Sequence, residues 1–456
     1  MKDRNGQTDM SRREFLRRIG IGAGSAMALM ALEPLGIMAA GKEKEKADGE
    51  TKNAMTFREQ NGSGERISLL GFGMMRLPND QEEVNRLVDY AMEHGVNYFD
   101  TAPVYMGGQS EVLTGNALSR YPREKFHVAT KMSNMRGGSI DDCKRMYETS
   151  MQKLRVDYID YYLLHGIGGG GMESFNSRFM DNGLLDFLLA ERKAGRIRHL
   201  GFSYHGDVRV FDYLLDHQEE YHWDFAQIQM NFLDWRHASL RGGRRTDADA
   251  EYLYNKCEKA GVQCVIMEPL RGGAFGRMAK ELSDQLRAVH PDDSTARWAF
   301  RWVGSFPNIL TTLSGMNRMD HLEENVATFS PLQPCTEAEN NLLASIADQM
   351  AGFPTIPCTT CAYCMPCPYG VDIPGNFAYY NEAVNEHILP LPAPGTPDYE
   401  TRKQQFADGY KKALPDEATW ARRCQDCEEC LPKCPQQIRI PNQMSRIVET
   451  LRKRSS

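Results

Sequence analysis

The sequence predicts an α/β chain in two parts, a closed (β/α)8 barrel followed by a small, mainly helical domain rich in cysteine. Three observations carry this expectation. Between about residues 57 and 329, eight short apolar runs alternate with amphipathic helical stretches, the pattern of a parallel sheet with crossover helices. Several of those runs end on a chemically capable residue, as barrel strands do where their C-terminal ends converge on one mouth. After residue 357 the alternation stops, and eight of the twelve cysteines crowd into two short groups.

A chain of 456 residues has ample core for two or three domains. With a net charge of −7 and no basic cluster in the body, nucleic acid is not an expected partner. The basic residues gather instead at the N-terminus, in Ser-Arg-Arg-Glu-Phe-Leu-Arg-Arg over 11–18. From Ile19 to about Leu32 the chain is apolar but too short to span a bilayer, and small residues follow at Ala39 and Ala40. Arg12-Arg13 with Phe15-Leu16 behind them resembles a twin-arginine (Tat) export signal. The expected divisions are a signal over 1–41, a linker over 42–55, the barrel over 56–332 and the cysteine domain over 333–456. Localisation follows the signal: periplasm or cell envelope if it is used, cytoplasm if not, with no membrane span after its removal.

The strand-like runs lie near 68–75, 96–100, 126–131, 158–165, 197–203, 225–231, 262–269 and 308–315, with helices such as Gln81–His94 and Cys143–Leu154 between them. A span of about 275 residues suits a barrel of the TIM type. Gly166–Gly171, with five glycines in six residues, and Arg241–Asp249 read as flexible loops near the mouth. The second, third and fourth runs end at Asp100, Lys131 and His165, and Tyr105 follows Asp100 by five residues. These four form the candidate site. A phenol is a reluctant donor at neutral pH, and a nearby ammonium favours its ionisation, so Tyr105 and Lys131 suit proton transfer. Asp100 would aim Lys131, and His165 would add a hydrogen bond at the same mouth.

Order and spacing then match a family block by block. Leu70-Gly71-Phe72-Gly73-Met74-Met75, Asp100-Thr101-Ala102 with Tyr105, Ala129-Thr130-Lys131 and Leu163-Leu164-His165 resemble an aldo/keto reductase. So do Gly201-Phe202-Ser203, Gln227 to Asn231, Glu268-Pro269-Leu270, and Ser314-Gly315-Met316 with Glu323-Glu324-Asn325. The resemblance implies a nicotinamide cofactor, NADP or NAD. Ser203 and Gln227 would hold its carboxamide, and Gly73, Met74, Met267, Pro269, Leu270, Ser314, Gly315, Arg318, His321, Glu324 and Asn325 would line the rest. Met267 stands where the family often has an aromatic ring. Gly315 and His321 stand where some members carry a basic pair for a 2′-phosphate, leaving Arg318 as the strong cation there.

The first cysteine group is Cys358, Cys361, Cys364 and Cys367, followed by Pro368. The second is Cys424, Cys427, Cys430 and Cys434, followed by Pro435. Its spacing matches the bacterial ferredoxin run, in which the fourth cysteine serves the other cluster. One [4Fe–4S] cluster would take Cys358, Cys361, Cys364 and Cys434, and a second Cys424, Cys427, Cys430 and Cys367. The first group is one residue short before Cys367. Structural zinc is the alternative for thiolates, although two such triplets with Cys-Pro are unusual for it. The segment between the groups resembles helical ferredoxin modules, making this a ferredoxin-like iron–sulfur domain. Cys143, Cys257, Cys264 and Cys335 read as ordinary buried thiols.

The expected function is oxidoreduction of a small carbonyl or alcohol, coupled to one or two clusters and to a redox protein partner. The alternatives are a redox-sensing barrel that does not turn over, or a reductase with structural clusters. The substrate is not legible. The Tat route carries folded proteins and so suits a chain loaded with clusters before export.

Overall fold

The computed structural model describes residues 54–135, 137–238, 248–390 and 397–452. The predicted signal and nearly all of the linker, most of the Arg241–Asp249 loop, and residues 391–396 of the proline-rich break lie outside the described residues.

All eight predicted runs form strands. In chain order after a short hairpin, β1 Phe57–Glu59 and β2 Arg66–Ser68, they are β3 Leu70–Gly73, β4 Tyr98–Asp100, β5 His127–Met132, β6 Ile159–Ile167, β7 Ile197–Tyr204, β8 Phe225–Gln229, β9 Gln263–Met267 and β10 Ile309–Ser314. They close in sequence order, β10 pairing with β3, and every barrel pair is parallel. Helices cover the outside and side chains fill the inside, so these strands read as continuous apolar runs. Tyr98, Ala129, Tyr161, Leu163, Phe225, Val265 and Leu310 pack one interior cluster together with Ile67 of the hairpin.

The hairpin was not anticipated, because three-residue strands carry no period to read. It is tied to the opposite end of the barrel from the mouth: the Asn61 N–H donates to Gln263 Oε1 at 2.7 Å, and Gln263 Nε2 donates to the Glu59 carbonyl at 2.9 Å. There Glu65 meets His199 Nε2 at 2.8 Å, with Asp224 on the other side of the ring. Burial alone would lower the His199 pKa, but hydrogen bonds and charge from Asp224 and Glu65 outweigh it and raise the pKa to about 9.

Gly166–Gly171 departs from the flexible loop expected. β6 runs through Gly166 and Ile167, and a short helix, Gly171–Phe175, follows at once. Glycines read as loop from composition are held here by neighbours, with the Asp207 and Gly171 N–H groups both donating to the Gly168 carbonyl at 3.1 Å.

Beyond the barrel, the helix Glu337–Ala351 begins with a capping box formed by Thr336 and Glu339. Helices Ile373–Asn385, Tyr399–Ala413 and Ile440–Leu451 then enclose a core of their own, with Phe377, Tyr380, Phe406, Tyr410, Met444 and Ile447. The predicted barrel and cysteine domains nevertheless belong to one body, Met55–Ser456. Arg76 Nη2 donates to the Thr359 carbonyl at 2.8 Å, Asn385 Nδ2 to the Arg277 carbonyl at 2.6 Å, and His387 Nε2 meets Glu281 at 2.7 Å. Gly272 has φ +66°, and a Cβ there would stand 2.3 Å from the Thr359 oxygen, so only glycine lets the cysteine loop sit this close. Among the described residues no helix is long and apolar enough to cross a membrane.

A histidine raised on folding contributes stability that is full below its unfolded pKa, about 6.5, and fades as pH rises through about 9. His199→Gln is therefore expected to lower the melting temperature most near pH 6. The gap from wild type should close by about pH 10, as scanning calorimetry across that range will read.

Candidate active site and cysteine centre

β4 ends on Asp100, β5 carries Lys131 and β6 carries His165, while Tyr105 opens a short 3-10 turn just after β4. Parallel register brings them together, Asp100 opposite Ala129 and Lys131 opposite Leu163. Lys131 is fully buried. Its Nζ donates to Asp100 Oδ1 at 2.6 Å and to the Thr101 carbonyl at 2.8 Å, and Gln227 Nε2 donates to Asp100 Oδ2 at 3.2 Å. Burial drives Lys131 down and Asp100 up, and each holds the other ionised against that pressure.

His165 stands edge-on to Tyr105, ring centres 5.9 Å apart. Ser133 Oγ lies 2.6 Å from its Nδ1, which leaves Nε2 for the cleft. Arg178 grips the same strand end, donating to the His165 carbonyl at 2.5 Å. Burial first, then the charges of Lys131, His205 and Arg178, push His165 well below its ordinary value, so the ring is neutral at pH 7.

One electrostatic expectation is corrected. Lys131 was expected to lower the Tyr105 pKa, yet Tyr105 is raised well above 10, by burial first and then by Tyr363 and Asp100. The reason is direction: the ammonium donates to Asp100 and the Thr101 carbonyl, and its Nζ lies 5.1 Å from the centre of the Tyr105 ring.

Asp100, Tyr105, His165 and Gln227 line one cleft of about 1470 Å³. Gly73, Met267, Pro269, Leu270, Ser314, Gly315, His321, Glu324 and Asn325 line it too, and Asn325 Nδ2 donates to Ser314 Oγ at 3.0 Å. The remaining candidates stand elsewhere. Met74 is buried, and its carbonyl accepts from Ser110 Oγ at 2.7 Å. Ser203 is buried and accepts the Gly166 N–H at 2.8 Å. Arg318 turns outward and pairs with Asp320 at 2.6 Å.

The cleft has residues that sequence reasoning missed. Arg76 and Gln229 come from the barrel, and Tyr363 and Gln436 come from the cysteine domain, beside Cys361, which the spacing had marked as a ligand. Spacing drew attention to the cysteines, and Tyr363 was an uncounted spacer between two of them. Glu268, quoted only as part of a motif, is half-buried in the wall with φ +56°, its carboxyl raised by desolvation and eased by Arg76.

The eight clustered thiols fall into two neighbourhoods. Cys358, Cys361, Cys364 and Cys434 lie within electrostatic reach of one another, and so do Cys367, Cys424, Cys427 and Cys430. A small cavity of about 20 Å³ is walled by the second set together with Cys364, Ile440 and Met444. Among the described residues no three His, Cys, Asp or Glu side chains close around a single-ion site. The other four cysteines are buried, as expected.

A barrel with an Asp–Lys–Tyr–His mouth defines a class of carbonyl oxidoreductase, and comparison agrees. Residues 69–348 match the aldo/keto reductase family and residues 357–439 a 4Fe-4S dicluster domain; the chain belongs to the aldo/keto reductase family. It is 27% identical to Protein tas of Escherichia coli over 58% of this chain and 90% of that protein. It is 24% identical to L-galactose dehydrogenase of Arabidopsis thaliana over 61% of this chain and 89% of that one. The match to Probable aldo-keto reductase 1 of Glycine max is 36% identical but spans only 23% of this chain and 34% of that protein. Among solved structures, the holo form of aldo-keto reductase AKR11C1 from Bacillus halodurans shares the fold with TM-score 0.52 and 24% identity, over 64% of this chain and 96% of that one.

Removing one partner of a buried ion pair leaves an uncompensated charge, at a cost of about 3–5 kcal/mol. Lys131→Met is thus expected to lower the melting temperature sharply. Adding Asp100→Asn should restore much of that loss, which thermal melts of the two variants will read.

Proposed function

We propose that this chain interconverts a carbonyl and an alcohol with a nicotinamide cofactor, NADP or NAD, and carries two [4Fe–4S] clusters for electron transfer. The observation that carries the reading is the cleft in which Asp100, Tyr105 and His165, a groove of cofactor-type residues and Cys361 all meet, with Lys131 buried behind Asp100. Gly73, Gln227, Met267, Ser314 and Asn325 would hold the nicotinamide end and its dinucleotide. Bound nicotinamide supplies the hydride. Tyr105, protonated at neutral pH, gives its proton to the carbonyl oxygen as the carbon gains the hydride's electron pair, so the product is the alcohol. His165, neutral and with Nδ1 engaged by Ser133, donates from Nε2 to the same oxygen and orients it. Lys131, held ionised by Asp100, ties the ends of β4 and β5 together and so fixes the floor on which the two donors stand.

The cysteine sets support two clusters in the expected pairing: Cys358, Cys361, Cys364 and Cys434 around one, Cys367, Cys424, Cys427 and Cys430 around the other. The shared neighbourhoods, including Cys367 despite its short spacing, suit that donor set, and such clusters supply one-electron transfer. Export by the twin-arginine route completes the reading, because that route takes a folded, loaded protein.

Tyr105→Phe removes the acid and is expected to lower kcat by about 10²–10⁴-fold while leaving NAD(P)H binding intact. A variant as fast as wild type would make the barrel a sensor instead of an enzyme. Anaerobic fractionation of cells, with metal and sulfide analysis, should find about eight iron and eight sulfide per chain in the exported fraction. Zinc in place of iron sinks the electron-transfer half, and a wholly cytoplasmic protein sinks export.

A further inference from the structure

Tyr363 occupies the spacer between Cys361 and Cys364, yet it lines the barrel cleft with Tyr105, His165 and Gln227. Its hydroxyl and that of Tyr105 are close enough to influence each other. The loop that brings it there is built for the position. Arg76 holds the Thr359 carbonyl at 2.8 Å, Gly272 clears room for that peptide, and Asn381 brackets Ile356 by two backbone hydrogen bonds of 2.7 Å. Thr360 and Ala362, on either side of Cys361, take left-handed φ of 52° and 62°, which turns the chain there.

We propose that Tyr363 is a specificity-determining residue of the active site, binding an oxygen on the carbon next to the reacting carbonyl, so that the preferred substrates are α-hydroxy carbonyl compounds. This rests on the carbonyl–alcohol reading above. In the cleft the Tyr363 hydroxyl is a neighbour of the Tyr105 hydroxyl. When a substrate carbonyl oxygen takes the Tyr105 hydroxyl, the Tyr363 hydroxyl is left beside the adjoining carbon. A site built to pair a substrate hydroxyl discriminates against the analogue without it. An α-hydroxyl gives the Tyr363 hydroxyl a partner, whereas a bare alkyl chain gives it none. The surrounding wall adds Arg76, Gln229, Glu268 and Gln436, which suit further oxygens on the same substrate better than a hydrocarbon tail.

The test compares 2-hydroxypropanal with propanal, which differ by that one hydroxyl, using NAD(P)H and the iron-loaded full chain. Wild type is expected to favour 2-hydroxypropanal in kcat/KM by about tenfold to a hundredfold. Tyr363→Phe, which keeps the ring, should bring the ratio near one. A wild type without preference, or a Y363F that keeps it, overturns the proposal. Tyr363→Leu is read the same way if Y363F loses iron. Saturation-transfer NMR of 1,2-propanediol and 1-propanol on the oxidised-cofactor complex gives a readout free of turnover. Diol preference that disappears in Y363F supports the assignment even where neither aldehyde is reduced, a result that overturns the oxidoreductase reading alone. Equal binding of diol and propanol by wild type overturns the assignment whatever the rates.

Discussion

The structure depends on keeping one ammonium charged where no water reaches it. Lys131 is fully buried at the centre of the mouth, and a lone cation there would be neutralised by its surroundings. Asp100 and the Thr101 carbonyl prevent that, and Gln227 in turn steadies Asp100. All of these contacts come from the ends of neighbouring or facing strands. The closed sheet is therefore what makes the pair possible: a rigid ring of strands holds three side chains from β4, β5 and β8 within hydrogen-bond reach of one another.

The same pair sets the character of its neighbours. Because the ammonium faces Asp100, it does not draw down the Tyr105 hydroxyl, which stays a protonated phenol. Its positive charge and the burial of His165 keep the imidazole neutral. The mouth thus combines an ion pair below with two neutral hydrogen-bond donors above, an arrangement suited to an oxygen that gains negative charge during reaction.

The cysteine domain is part of the mouth rather than an appendage. Its first loop rests on Gly272 and Arg76 and brings Cys361 and Tyr363 into the wall, while Gln436 arrives from beside the last cysteine. A redox centre held by these cysteines would share a wall with the barrel cleft. Strain supports the same view: Glu268, Thr360 and Ala362 hold left-handed φ without being glycine, and all three lie at this junction.

Much of this was legible in the sequence. Eight apolar runs with helices between them specify a barrel, because a parallel strand is buried on both faces and its period is short and local. The reactive residues were legible because each stands in or just after the C-terminal part of a strand, and the cysteines because ligand spacing is itself local. Four features had no local signal. The bottom hairpin is too short to show a period, Arg318 finds Asp320 instead of the cleft, and Ser203 accepts a backbone N–H from Gly166. The fourth is Tyr363, whose position depends on two segments more than two hundred residues apart. What the sequence by itself determined is the barrel, its tetrad and the two cysteine sets, since hydrophobic period and ligand spacing are properties of neighbours along the chain. Only the tertiary structure decided which way the Lys131 charge points and which tyrosine roofs the mouth, since both follow from packing between surfaces that meet only after folding.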